Sequence, residues 1–165
     1  MELMHDNIIQ YIIDEFPQLI HEYKDKYEWA KVDGVISTYM FFGPIVREHF
    51  FKLVALYCNE SNENTLLEIR RFSKLFESMA TSQDFDLRNL LTVGVFEGME
   101  SYLNEFAMSI LGPETKKLLQ LRLMEDIQMA LRLKPTGVLD ITTYHAIINL
   151  ATSRKKGLFN IFNRQ

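Results

Sequence analysis

Apolar residues recur along this chain at the spacing of one helix face, over segment after segment. In "MHDNIIQYIIDEF", Ile8, Ile9, Ile12, Ile13 and Phe16 fall on one side of a helix, with Asp6 or Asn7 placed to cap it. Pro17 then forces a break or opens a second short helix, and Leu19, Ile20, Tyr23 and Tyr27 continue the pattern. "AKVDGVISTYMFFGP" is the least helical stretch. Asp33-Gly34 marks a turn and Gly43-Pro44 closes the segment, which reads as a long connection, partly extended or with a short helical turn. From Pro44 a new helix carries Val46, Phe50, Leu53, Val54 and Tyr57.

After the polar break "NESNEN", with Asn64 or Thr65 as cap, Leu66, Ile69, Phe72, Leu75, Phe76 and Met79 form a long stripe. "TSQD" separates it from Leu87, Leu90, Leu91, Val95 and Met99, where Asp84 or Asp86 supplies the oxygen and negative charge a helix start favours. Tyr102, Leu103, Phe106, Ile110 and Leu111 make the next face. Gly112 fits its left-handed end and Pro113 opens a helix that runs to Lys134-Pro135. A last short helix begins at Asp140, with Ile141, Tyr144, Ile147, Ile148 and Ala151 on one face.

Two of these helices end alike, on Phe76-Glu-Ser-Met79 and Phe96-Glu-Gly-Met99. In each copy Phe and Met, three apart, face the core, and the glutamate lies off that face. The pair reads either as a hairpin of related units, the brick of an α-solenoid, or as a coincidence of helix-rich composition. The expected fold is all-α: about seven or eight helices in antiparallel hairpins, bundle-like or as a short HEAT-like solenoid. One domain is expected over residues 1–165, with a basic tail at 154–165.

Composition narrows the function classes. The chain has 165 residues, 47% hydrophobic and 24% charged, with few glycines and prolines, which excludes disorder and favours long helices. No run approaches ~20 apolar residues, so no membrane span is expected. The N-terminus has no leader pattern, and a single cysteine fits a reducing, cytoplasmic setting. Cys58, in "FFKLVALYC", is expected to be a small buried hydrophobe.

The net charge is −4, yet four basic residues (Arg154, Lys155, Lys156, Arg164) against Asp140 alone follow Val138. The body is therefore more acidic than the total. That disfavours nucleic acid and suits either plain solubility or a basic protein partner. The tail, which adds Leu158, Phe159, Ile161 and Phe162, has three readings: folded back on the acidic body, a loose terminus, or docked on a partner or an acidic membrane surface.

Catalytic chemistry has no foothold in the pattern. His5, His21, His49 and His145 lie on separate elements, no HExxH pair occurs, and one cysteine cannot build a zinc cluster. Phosphate loops and GxSxG are absent. Glu77 and Glu97 occupy matching places in two helices, but as members of amphipathic helices they are expected to be solvated or paired with Arg70, Arg71, Lys74 or Arg88. No catalytic, cofactor or metal residue is expected. Trp29, the single tryptophan, either pins a loop to the core or anchors a partner.

"EFPQLIHEYKDKYEWA", "LLEIRRFSKLFESMATSQDFDLRNLLTVGVFEGM" and "LGPETKKLL", in that order, resemble a family of small bacterial helical proteins. The resemblance spans Phe16 to Leu119. Some members are similar to immunity proteins of polymorphic toxin systems, which bind a cognate toxin and block it. The resemblance therefore implies a non-enzymatic binding protein of immunity type, with a basic toxin as partner. Together with the acidic balance it makes Trp29, Glu77, Asp84, Asp86, Glu97 and Glu100 the candidate partner-binding residues. The alternative is a helical-repeat scaffold for another protein, and an enzyme with an unrecognised site stands third.

Overall fold

The computed structural model describes residues 3–97 and 105–132, the stretch 123–132 as helix backbone. Contacts divide the chain after Leu118, and the account that follows concerns the unit up to that residue. The fold is all-α with one small hairpin. Its elements are α1 (Ile8–Glu15), α2 (Gln18–Glu22), α3 (Lys24–Trp29), β1 (Lys31–Val32), β2 (Val35–Ile36), α4 (Thr38–Phe41), a π-helical segment π1 (Phe42–Arg47), α5 (Glu48–Glu60), α6 (Glu63–Ala80), α7 (Phe85–Asn89), a second π-helical segment π2 (Leu90–Phe96), α8 (Glu105–Ile110) and α9 (Pro113–Arg132).

Two helical stripes bury as their spacing demands, whereas Ile9, Ile13, Ile20, Tyr23, Tyr27 and Tyr57 of the earlier faces are half-buried. On α6, Leu66, Ile69, Phe72, Leu75, Phe76 and Met79 are all buried, and on α7 and π2 so are Leu87, Leu90, Leu91 and Val95. The core they build is aromatic. Phe16 stacks on Phe72 at 4.2 Å between centroids, and Phe76 meets Phe50 at 5.0 Å and Phe96 at 5.4 Å, both edge to face. Edge-to-face packing sets positive ring edges on negative ring faces, which adds to the apolar burial.

The two Phe-Glu-x-Met copies thus meet through their phenylalanines. Phe76 lies in the last turns of an eighteen-residue α-helix, whereas Phe96 ends a seven-residue π-helical segment. Met79 is buried, and Met99 lies outside the described residues.

Around Pro44 the sequence pattern misleads. It predicts a helix start there, yet the chain runs helically from Thr38 through Gly43 and Pro44 to Glu60. A proline nitrogen cannot donate and its ring crowds the preceding turn; the wider turns of π1 admit it without ending the helix.

The connection before this run holds the β-hairpin, with Lys31 opposite Ile36 and Val32 opposite Val35. Asp33 (φ +53) and Gly34 (φ +79) both adopt left-handed backbone, the tight two-residue turn for which Asp-Gly is suited.

Four smaller expectations are corrected. Asn62, not Asn64 or Thr65, caps α6, its side-chain oxygen accepting the N–H groups of Asn64 and Thr65 at 2.9 and 3.2 Å. Cys58 is exposed, because burial on α5 ends at Val54, a turn earlier. On α8, Ala107 and Met108 are buried while Phe106 and Ile110 are half-buried; Phe106 covers Tyr57 at 4.7 Å instead. Gly112 is not among the left-handed residues; its role is steric. The expected helix from Asp140 and the tail at 154–165 lie outside the described residues.

Candidate binding groove

The sequence-predicted residues separate into two kinds. Glu77 and Asp84 are occupied within the fold. Glu77, on α6, reaches the start of α9. Its Oε1 accepts the Glu114 N–H at 2.9 Å, and its Oε2 accepts the Thr115 N–H at 3.0 Å and the Thr115 hydroxyl at 2.8 Å. These are the donors that a helix start leaves without intrahelical partners. Gly112 holds the cap position, its carbonyl accepting the Lys116 N–H at 3.0 Å, but has no side chain to supply the oxygen.

The cap therefore comes from another helix, and the vacant side of Gly112 is where it enters. A Cβ at Gly112 would overlap the Glu77 carboxylate. Partial burial pushes the Glu77 carboxyl up, but the two N–H groups, the hydroxyl and the charge of Lys116 outweigh it and leave it below the usual glutamate range. Ser73, one turn back on α6, donates to the Ile110 carbonyl. "LGPET" and the glutamate of "FESM" are thus two halves of one junction.

Asp84 caps α7 through Oδ1, which accepts the N–H groups of Asp86 and Leu87 at 2.9 and 3.2 Å. Its Oδ2 accepts the His5 N–H at 2.7 Å. That last N–H does most to hold the Asp84 carboxyl below the usual aspartate range, with the cap N–H groups acting the same way. Asp86 and Glu97 are exposed, and Glu100 lies outside the described residues.

Trp29 is the other kind. It ends α3 with 65% of its surface exposed, so it anchors no loop to the core. Val32 and Val35, paired across the hairpin, and Tyr39 on α4 are exposed with it, Val35 by 71%. Trp29 also walls a shallow groove of about 320 Å³, completed by Tyr39, Met40, Pro44, Arg47 and Val93.

The two π-helical segments make the groove. They pack on each other where Gly94 of π2 meets Phe42 of π1; a Cβ on Gly94 would stand 3.1 Å from Phe42 Cβ and 3.1 Å from Leu90 Cδ1. A side chain at this position would crowd both neighbours, and glycine avoids that. The Arg47 guanidinium lies close to Gly43, its Nη2 3.5 Å from where a Cβ would stand, an ordinary contact distance. Arg47 is half-buried and pairs with no carboxylate among the described residues. π-helical turns, costly in regular helices, recur at sites of function.

A second polar cluster went unseen in the sequence. His49, 4% exposed on α5, has Nε2 3.0 Å from Glu68 Oε1 on α6 and Nδ1 3.2 Å from Glu22 Oε2 on α2, the latter off line for a hydrogen bond. Gln18 donates to Glu68 at 2.6 Å, Lys52 pairs with Glu22, and His49 packs on Tyr23 and Phe72. Burial, with the charges of Glu22 and Glu48 nearby, pushes the Tyr23 hydroxyl up to about 12. The cluster ties three helices together. Residues so far apart in the chain carry no local signal. Among the described residues, no group of His, Cys, Asp and Glu is arranged to hold a metal ion, and no helix is long and apolar enough to cross a membrane.

A family model for a domain of unknown function, DUF7674, matches residues 9–125. The chain belongs to the DUF7674 family. The match runs from α1 into α9, so the hairpin, both π-helical segments and the Glu77–Thr115 junction all lie within the DUF7674 domain. No curated protein and no solved structure gives a significant match to this chain.

Proposed function

We propose that this DUF7674 chain is a non-enzymatic binding protein of the immunity type, which neutralises a toxin by docking on it through the surface from Trp29 to Tyr39. One observation carries the reading. The single tryptophan stands 65% exposed, near in the chain to the exposed Val32, Val35 and Tyr39 and apart from the core in which Phe41, Phe42, Phe50, Phe72, Phe76 and Phe96 are buried. Contiguous exposed apolar groups of this kind mark interaction sites, and tryptophan and tyrosine are the side chains that most often dominate binding energy. Asp25, Glu28 and Asp33 alternate around them with Lys24, Lys26 and Lys31, so the flank itself is balanced in charge. The net charge of −4 on the whole chain favours approach of a basic partner.

The test is co-expression with the product of the adjacent upstream gene, scoring growth and co-purification. Rescue from a toxic neighbour, with a complex weakened about 30-fold by Trp29→Ala, is the expected result. A neighbour that is harmless and does not co-purify overturns the immunity reading. An undiminished complex with Trp29→Ala overturns the docking surface.

A further inference from the structure

Arg47 distinguishes the groove from a merely apolar surface. Its guanidinium lies near Gly43 of π1, and Arg47 lines the groove together with Trp29, Tyr39, Met40 and Val93. Other basic residues nearby have carboxylates of their own. Lys26 pairs with Glu48, the residue next to Arg47, and Lys31 bonds Glu28 at 2.9 Å. Arg47 has no such partner among the described residues and is half withdrawn from water. A guanidinium in that setting presents a planar fork of donors to a carboxylate, and such charge-assisted pairs strengthen as water is excluded. The surrounding rings supply an apolar slot.

We infer that the groove receives, from the partner protein, an exposed segment carrying an aromatic or branched apolar side chain with a carboxylate beside it: the side chain against Trp29 and Tyr39, the carboxylate on Arg47. The inference rests on the docking surface proposed above and names the chemistry of its occupant. It is compatible with a basic partner. Net charge acts over a Debye length to steer the encounter, whereas the Arg47 pair acts at contact. The volume of about 320 Å³ suits one large side chain and its carboxylate.

Trp29 is the only tryptophan, so its emission reports on the groove alone. The experiment titrates the full chain with N-acetyl-phenylalanine and, separately, with N-acetyl-phenylalaninamide, which differ only in the carboxylate. Wild type, Arg47→Gln and Arg47→Lys are compared after circular dichroism has shown all three equally helical. Probes this small bind in the millimolar range.

The expected result is a saturable shift of Trp29 emission with the acid at least about 10-fold tighter than with the amide. Arg47→Gln should bring the acid down to the amide, and Arg47→Lys should retain part of the difference. Equal binding of acid and amide, an acid titration unchanged in Arg47→Gln, or no saturable change up to about 10 mM would each overturn the inference.

These outcomes are separable from those of the co-expression test. Acid-selective binding without toxin rescue keeps the groove and removes the toxin. Rescue without probe binding keeps the docking surface and removes the Arg47 subsite.

Discussion

Glu77 follows Phe76 on α6, and the two side chains do opposite work one residue apart. Phe76 is fully buried among aromatic rings; Glu77 turns toward α9 and ends on three donors. Thr115 is 0% exposed, so its hydroxyl has no water to replace the carboxylate. Glu77→Ala should therefore cost about 2–4 kcal/mol, a lost helix cap plus an unsatisfied buried hydroxyl, measured by urea denaturation at neutral pH. Gly112→Ala should cost a similar amount by forcing the carboxylate out. The double variant should lose much less than the sum, since both changes break one contact.

The same contact sets a pH dependence. The Glu77 carboxyl is held below its ordinary range, so its contribution is fully present above the unfolded glutamate pKa and disappears as pH falls through the lower folded value. The stability gap between wild type and Glu77→Gln should accordingly close in acid and stay constant from pH ~6 to ~8. A gap that widens in acid would mean that Glu77 is not held as the carboxylate.

At the scale of elements, the two π-helical segments decide where the groove lies, and their packing rests on Gly94. Alanine there is drawn two ways. Its better helix propensity favours it by up to about 1 kcal/mol, whereas a Cβ 3.1 Å from Phe42 Cβ overpacks against a group attached directly to backbone. Phe42 cannot yield without moving π1, so the clash should win. Gly94→Ala should destabilise by about 1–2 kcal/mol and alter Trp29 emission. Gly34→Ala tests the opposite case. Nothing lies within 4 Å of its Cβ position, so the φ of +79 alone should cost about 1 kcal/mol.

These elements also show how far the chain could be read. The α6 stripe was legible to the residue, because burial on one side of an isolated long helix leaves a clean 3.6-residue period. The Asp33-Gly34 turn was legible because left-handed backbone restricts residue choice. The π-helical segments were not, since a wider turn shifts the helical register without a residue type of its own, and Pro44 read as a helix start. Trp29 could be picked out as a lone tryptophan. Arg47 could not, because its setting is made by Gly43 and by residues 93 and 94 on another element. Glu77 was singled out for binding when its partners, Glu114 and Thr115, lie on a helix 37 residues further along.

For the molecule as a whole, stability rests on aromatic groups other than Trp29, the proposed docking residue. Phe50, Phe76 and Phe96 form a closed triangle of ring contacts at 5.0, 5.4 and 6.4 Å, linking α5, α6 and π2. All three rings are buried. Phe76→Ala and Phe96→Ala should each cost about 3–5 kcal/mol, a large share of a total stability of about 5–15 kcal/mol. A loss under about 1 kcal/mol at either would show that its ring is not part of the core.

Trp29 stands outside this triangle. With most of its surface in water it contributes little to folding, and Trp29→Ala should change stability by no more than about 0.5 kcal/mol. Comparing the melting of Trp29→Ala with that of Phe96→Ala separates the two roles. If Trp29→Ala melts with wild type, any loss of partner binding in that variant reflects the surface itself. If it melts early, Trp29 holds the hairpin in place, and the exposed valines, not the indole, become the first side chains to test for docking.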